Sequence, residues 1–180
     1  MSEVIEHTLN WVRSFIIEYN LCPFAKGPVN KGALRVAVSE TKKKNQALED
    51  LMTEIRFLDE NPAIETTLLV FPNSFKDFFA YLDFVDLAEQ LIHIQGYEGV
   101  YQVATFHPEY YFEDTSPDDV SNYTNRSPYP MLHLLREDSL DKAINAYGDT
   151  SAIPEKNKAT MAQLGVEKVK LILFSCLNSK

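Results

Sequence analysis

The chain has 180 residues, 45% of them hydrophobic and 24% charged, which fits one folded domain, residues 1–180, able to bury roughly 70% of its unfolded surface without staples. A formal net charge of -9 disfavours non-specific binding to nucleic acid or an anionic membrane, and the one basic cluster, Lys42 to Lys44, reads as a solvated face. Glu3, Glu6, Arg13 and Glu18 interrupt any signal-peptide core, no uncharged run matches a membrane span, and Cys22 and Cys176 lack CxxC spacing, so the expected setting is the cytoplasm.

Ile5, Leu9, Val12, Ile16 and Tyr19 recur at steps of four and three, predicting a first helix over about 3–19. Leu34, Val36 and Val38 alternate with Arg35, Ala37 and Ser39 as a strand does, and Leu48, Leu51, Met52, Ile55 and Leu58 return to helical spacing. Residues 66–71 read as a buried strand. Ser74 followed by Asp77 resembles a capped helix start, and Gly96 suits its end. Residues 100–106 and 131–136 read as a third and a fourth strand. Ser139 suits the cap of a helix through Tyr147, and Pro154 the first turn of another. After Gly165 the pattern fits either a helix or a strand, so 166–180 stands as an uncertain terminal extension.

Strand, helix and strand units favour right-handed parallel crossovers, whereas the third and fourth strands, with no helix between them, favour an antiparallel pair. The expected fold is α/β (α+β): a mixed sheet of about four strands covered by helices. A ferredoxin-like two-layer sandwich is the preferred form, and an open doubly wound sheet the alternative.

Chemistry concentrates in residues 106–130, FHPEYYFEDTSPDDVSNYTNRSPYP, which hold four of the nine prolines and six of the twenty-one Phe, Tyr and Trp residues. A loop this long is functional or disordered, and its rings argue against disorder. His107, at the carboxyl end of the third strand and held extended by Pro108, is a candidate acid or base, or a histidine that merely ties the loop. Asp118 and Asp119 can handle protons or cap a turn, and their spacing matches no metal motif. Arg126 offers a planar fork for phosphate or carboxylate, or an internal ion pair. Asn122 and Asn125 offer amides to a ligand or form turns.

Cys22, with Lys26 close behind, is a candidate thiolate nucleophile or an inert core cysteine. With three parallel strands it approaches the sheet edge opposite His107. Arg35 and Lys26 are further anion contacts, and the ordinary reading of Arg35 is surface pairing. His133 alternates with Met131 and Leu135 and reads as a satisfied core histidine.

The segments NLCPFAKGP, ETTLLVF, FHPEYYF and SPDDVSNYTNRSPYPMLHLLR, in that order, resemble the domain of unknown function 1415 family of bacterial and plant proteins. The resemblance spans roughly residues 7–165, and the end from Val166 onward departs from it. It implies that Cys22, His107, Asp118, Asn125 and Arg126 are positions of the family pattern. It brings no activity, substrate or cofactor with it.

Three functional readings follow. The first is an enzyme acting on a small anionic metabolite, with Arg126, Asn125, Asn122, Lys26 and Arg35 holding it and His107, Cys22, Asp118 or Asp119 doing the chemistry. The second is a non-catalytic module for a small anion or nucleotide in the same pocket. The third is structural: the loop is an internally satisfied network, and the protein works through a partner surface. Cofactor and oligomeric state are left open.

Overall fold

The structure, a computed structural model, describes residues 1–178. Its centre is a four-stranded sheet of β1 (Leu34–Val38), β2 (Thr66–Val70), β3 (Tyr101–Phe106) and β4 (Met131–Arg136), in the spatial order β1-β2-β4-β3. Helix α3 (Lys44–Glu60) carries the chain from β1 to β2, which lie parallel. Helix α4 (Phe78–Ile94) carries it on to β3. No helix follows β3, so β4 returns antiparallel and inserts between β2 and β3. This is the mixed α/β sheet the element order predicts.

Strand alternation divides the core in two. Ala37, Leu69, Leu132, Leu134 and Tyr101 pack with Leu51, Ile55 and Leu58 of α3 and Phe84 and Ala88 of α4. Leu68, Val70 and Met131 point to the opposite face and meet Trp11, Val12 and Phe15 of the N-terminal helix. That helix is α1 (Ser2–Trp11) followed without interruption by a π-helical stretch, Val12–Ile17. Two later helices, α6 (Ile153–Leu164) and α7 (Val166–Cys176), add Met161, Val169 and Cys176 to the same core.

Helices therefore cover both faces of an open sheet. Of the two forms weighed, the ferredoxin-like two-layer sandwich gives way to three layers, because the segments before β1 and after β4 supply a second apolar layer. Both crossover helices share one face, so the winding is one-sided.

Asp77 caps α4, its carboxylate accepting from the Ala80 amide at 2.8 Å, while the Ser74 hydroxyl donates to the Thr41 carbonyl. Helix α5 (Glu137–Tyr147) starts directly after β4, so Ser139 lies inside it. Pro154 does sit in the first turn of α6. The tail is the helix α7, and with Val169 and Cys176 buried it belongs to the fold. Among the described residues no helix is long and apolar enough to cross a membrane.

Candidate functional site

The 106–130 loop closes on itself. The Asn122 side chain is fully buried: its oxygen accepts from the Phe112 amide at 3.1 Å and the Thr115 hydroxyl at 2.7 Å, and its nitrogen donates to the Ser116 carbonyl at 2.8 Å. Arg126 donates to the carbonyls of Tyr110 (3.0 Å) and Pro117 (2.7 Å) and lies 4.4 Å over the Tyr123 ring. Asn125 ties the loop to β3 through the Thr105 carbonyl at 3.2 Å. Asp119 caps the short 3-10 helix Val120–Thr124 by accepting from the Ser121 amide at 2.8 Å. That bond holds its carboxyl below the usual range. Asp118 is exposed.

His107 is 0% exposed and lies on the α3/α4 side of the sheet, in ring contact with Phe78 and Tyr81. Its Nε2 donates to the Phe75 carbonyl at 2.8 Å, and its Nδ1 accepts from the Glu109 amide at 3.0 Å. Both nitrogens are thus occupied, and the neutral tautomer is fixed by a backbone acceptor on one side and a backbone donor on the other. Burial pushes its pKa down. The bond also pins Phe75, a bulky residue at φ 57°, a left-handed conformation that needs outside support. The Phe75 ring stacks on Phe84 at 4.1 Å. His107 therefore works as a clasp on the turn after β2.

A large opening lies on the other face of the sheet. A cavity of about 1000 Å³ has a floor of Leu34, Thr66, Leu68, Ala104, Phe106, His133 and Leu135. Its walls come from Trp11, Val12 and Ile16, from the 21–25 turn and helix α2 (Lys26–Lys31), from α5, and from the start of α6. The loop contributes Phe112, Asp114, Thr115, Ser121, Thr124 and Asn125 to one side. The lining is mostly apolar, and this is the kind of concave site that holds small molecules. The π-helical stretch carries two of its wall residues, and such stretches recur at functional sites.

Of the residues singled out in the sequence, Cys22 and Asn125 reach the cavity. His107 and Arg126 do not line it. Arg35 lies on the α3 side, forked onto Glu54 at 2.7 and 3.1 Å with Phe57 beneath it. Lys26 is exposed at the start of α2. Neither the imidazole nor the guanidinium opens into this hollow: residue 107 falls on the opposite alternation from Ala104 and Phe106, and the Arg126 head is bonded to loop carbonyls. Burial pushes the Cys22 thiol up, with the Phe24 and Ala25 amides pulling the other way.

The rim cations are engaged. Lys31 pairs with Glu65 and Lys158 with Glu155, each at 2.9 Å. The Arg136 guanidinium turns to the other face, donating to Ile64, Leu58 and Tyr101.

The family model described as protein of unknown function (DUF1415) matches residues 3–171. The chain belongs to this family. For the DUF1415 fold, the match reaches into α7, past the limit at 165 drawn from the sequence motifs. Neither a curated protein nor a solved structure matches the chain.

His133, which the sequence pattern places in the core as a satisfied histidine, lines the cavity. Its Nε2 stands 2.7 Å from the Thr66 hydroxyl, whose oxygen lies 2.5 Å from the Leu134 carbonyl. Two oxygens that close need a hydrogen between them, and the hydroxyl supplies it. The hydroxyl oxygen must then accept from Nε2–H, leaving Nδ1 with a free lone pair. Burial pushes the His133 pKa down to about 4, so the ring is neutral near pH 7. The one available signal was its alternation with Met131 and Leu135, which placed it on a face without revealing that the face is hollow.

Proposed function

We propose that the protein binds a small, largely apolar molecule in the cavity between the sheet and the α1, α2, α5 and α6 helices. The carrying observation is the cavity itself: about 1000 Å³ whose exposed lining is mostly apolar, from Leu, Phe, Ala, Ile and Trp side chains, with polar and charged residues interspersed. Apolar surface removed from water there contributes on the order of 25 cal/mol per Å². Of the three sequence readings, the non-catalytic binding module fits best, with its ligand class changed. Cations at the rim are already paired and Arg126 is spent on carbonyls, so an anionic ligand finds little to hold it. The loop serves as one wall and as the lock that fixes it. An enzymatic version of this reading places the acid–base group at His133 and not at His107.

The test uses Nile red, a neutral apolar fluorophore. Wild-type protein is expected to bind it saturably at one site with a blue-shifted emission. Ala104 lies beside His133 in the β3–β4 register, so Ala104→Phe fills the floor and should weaken binding at least tenfold while circular dichroism stays native. Ala143→Trp, from the α5 wall, should do the same. Absence of saturable binding, or equal binding by both folded variants, overturns the reading.

A further inference from the structure

A cavity made only of hydrocarbon would select by size and shape. This one has an acceptor built into its floor. His133 sits on β4 between Met131 and Leu135, opposite Leu68 on β2 and Ala104 on β3. The Thr66 hydroxyl receives its Nε2–H and passes its own hydrogen to the Leu134 carbonyl. That chain ends on the backbone of the sheet, so the ring cannot exchange tautomers without leaving a carbonyl and a hydroxyl oxygen in contact at 2.5 Å. Nδ1 is left with its lone pair and has no protein partner among the described residues. It is also not among the buried polar atoms cut off from all surface, and its residue lines the cavity.

Resting on the binding role proposed above, we infer that the molecule bound carries a hydrogen-bond donor, a hydroxyl or an N–H, on an apolar body, and that His133 Nδ1 receives it. Other acceptors stand on the walls, the Asn157 and Asp114 side-chain oxygens among them, whereas on the sheet floor the Thr66 hydroxyl is already bonded at both ends and His133 Nδ1 is the acceptor left over. The Asn157 amide is given to the Leu21 carbonyl at 2.7 Å, and the Asn125 amide to Thr105. The Thr115 hydroxyl is bonded to Phe112 and Asn122. An analogue with the same body and no donor leaves Nδ1 unpaired in an enclosed apolar setting. Sites built to bond a hydroxyl reject such analogues far more strongly than hydrocarbon sites reject a change of size. A discrimination of about ten- to a hundredfold is expected for one neutral bond.

The experiment compares 2-naphthol with 2-methoxynaphthalene as displacers of Nile red. The two share a ring system, and the ether is the more apolar, so hydrophobicity alone favours it. The measured quantity is the ratio of their affinities within one protein, which cancels any general change in the cavity. Wild type should favour 2-naphthol at least tenfold, and His133→Leu should bring the ratio to one or below.

A second measurement needs no variant. The nitrogen NMR signal of His133 Nδ1 should move upfield on adding 2-naphthol and stay in place with 2-methoxynaphthalene. Equal wild-type affinities, a ratio unchanged in His133→Leu, or a motionless Nδ1 signal would sink the donor requirement while leaving the apolar cavity reading intact. Failure of Nile red and both naphthalenes to bind would remove the two proposals together.

Discussion

The loop at 107–130 and the cavity floor are both built around a histidine, and the two histidines are opposites. His107 is enclosed on the α4 side with each ring nitrogen bonded to backbone. His133 is bonded at Nε2, and its residue lines a hollow. Polar richness in a chain therefore does not mark a site by itself. In the loop it reflects backbone that has no ladder to join and must be satisfied by side chains. On the floor the strand ladder already satisfies the backbone, so one spare side-chain acceptor is left to face outward from the sheet.

The harshest way to break this contrast is His107→Ala. The substitution removes a fully enclosed ring, strands the Phe75 carbonyl and the Glu109 amide, and frees a strained residue, at a combined cost of about 4 kcal/mol. The melting temperature should drop by about ten degrees, and Nile red affinity of the remaining folded protein should be near wild type. A variant that melts normally would mean that the clasp is unimportant and would return His107 to consideration as a chemical group.

Acid sharpens the same contrast. His133 titrates near 6.5 when unfolded and at about 4 when folded. A lowered folded value means that the native state prefers the neutral ring, so protons favour unfolding. Its contribution is intact above about pH 6.5 and is lost progressively down to about pH 4, where it amounts to on the order of 3 kcal/mol, less whatever cavity water recovers. Burial shifts His107 the same way. Urea unfolding between pH 7 and pH 4.5 should show stability falling with pH, and His133→Leu should flatten part of that slope. An unaltered slope would mean that the floor imidazole is already well hydrated.

The sheet was legible in the chain because its cause is local. Val36 and Val38 against Arg35 and Ser39 show period two, and the missing helix between Phe106 and Met131 forces the antiparallel return. The site was less legible because its cause is not local. Nothing near Leu34, Leu68, Ala104 or Leu135 says that the helices above them stand off and leave a hollow, since each residue alone reads as core. Arg126 and Asn122 misled for the converse reason: fork and amide chemistry are the same whether the partner is a ligand or a carbonyl of the same loop.

The gentlest comparison lies across the thickness of one strand. Thr66 and Thr67 are neighbours on β2 whose side chains point to opposite faces. The Thr66 hydroxyl is used at both ends, between His133 and Leu134, and Thr67 Oγ1 is buried with no partner. An unpaired buried hydroxyl costs free energy that a methyl group of nearly the same shape does not. Thr67→Val should therefore stabilise the protein by about 1 kcal/mol, read as a higher urea midpoint at unchanged slope. Thr66→Val should do the reverse, lowering stability and releasing the His133 tautomer, so that the preference for 2-naphthol weakens with the histidine still in place. Equal responses of the two threonines would show that the hydroxyl between β2 and β4 does not orient the ring, and the acceptor on the cavity floor would lose its physical cause.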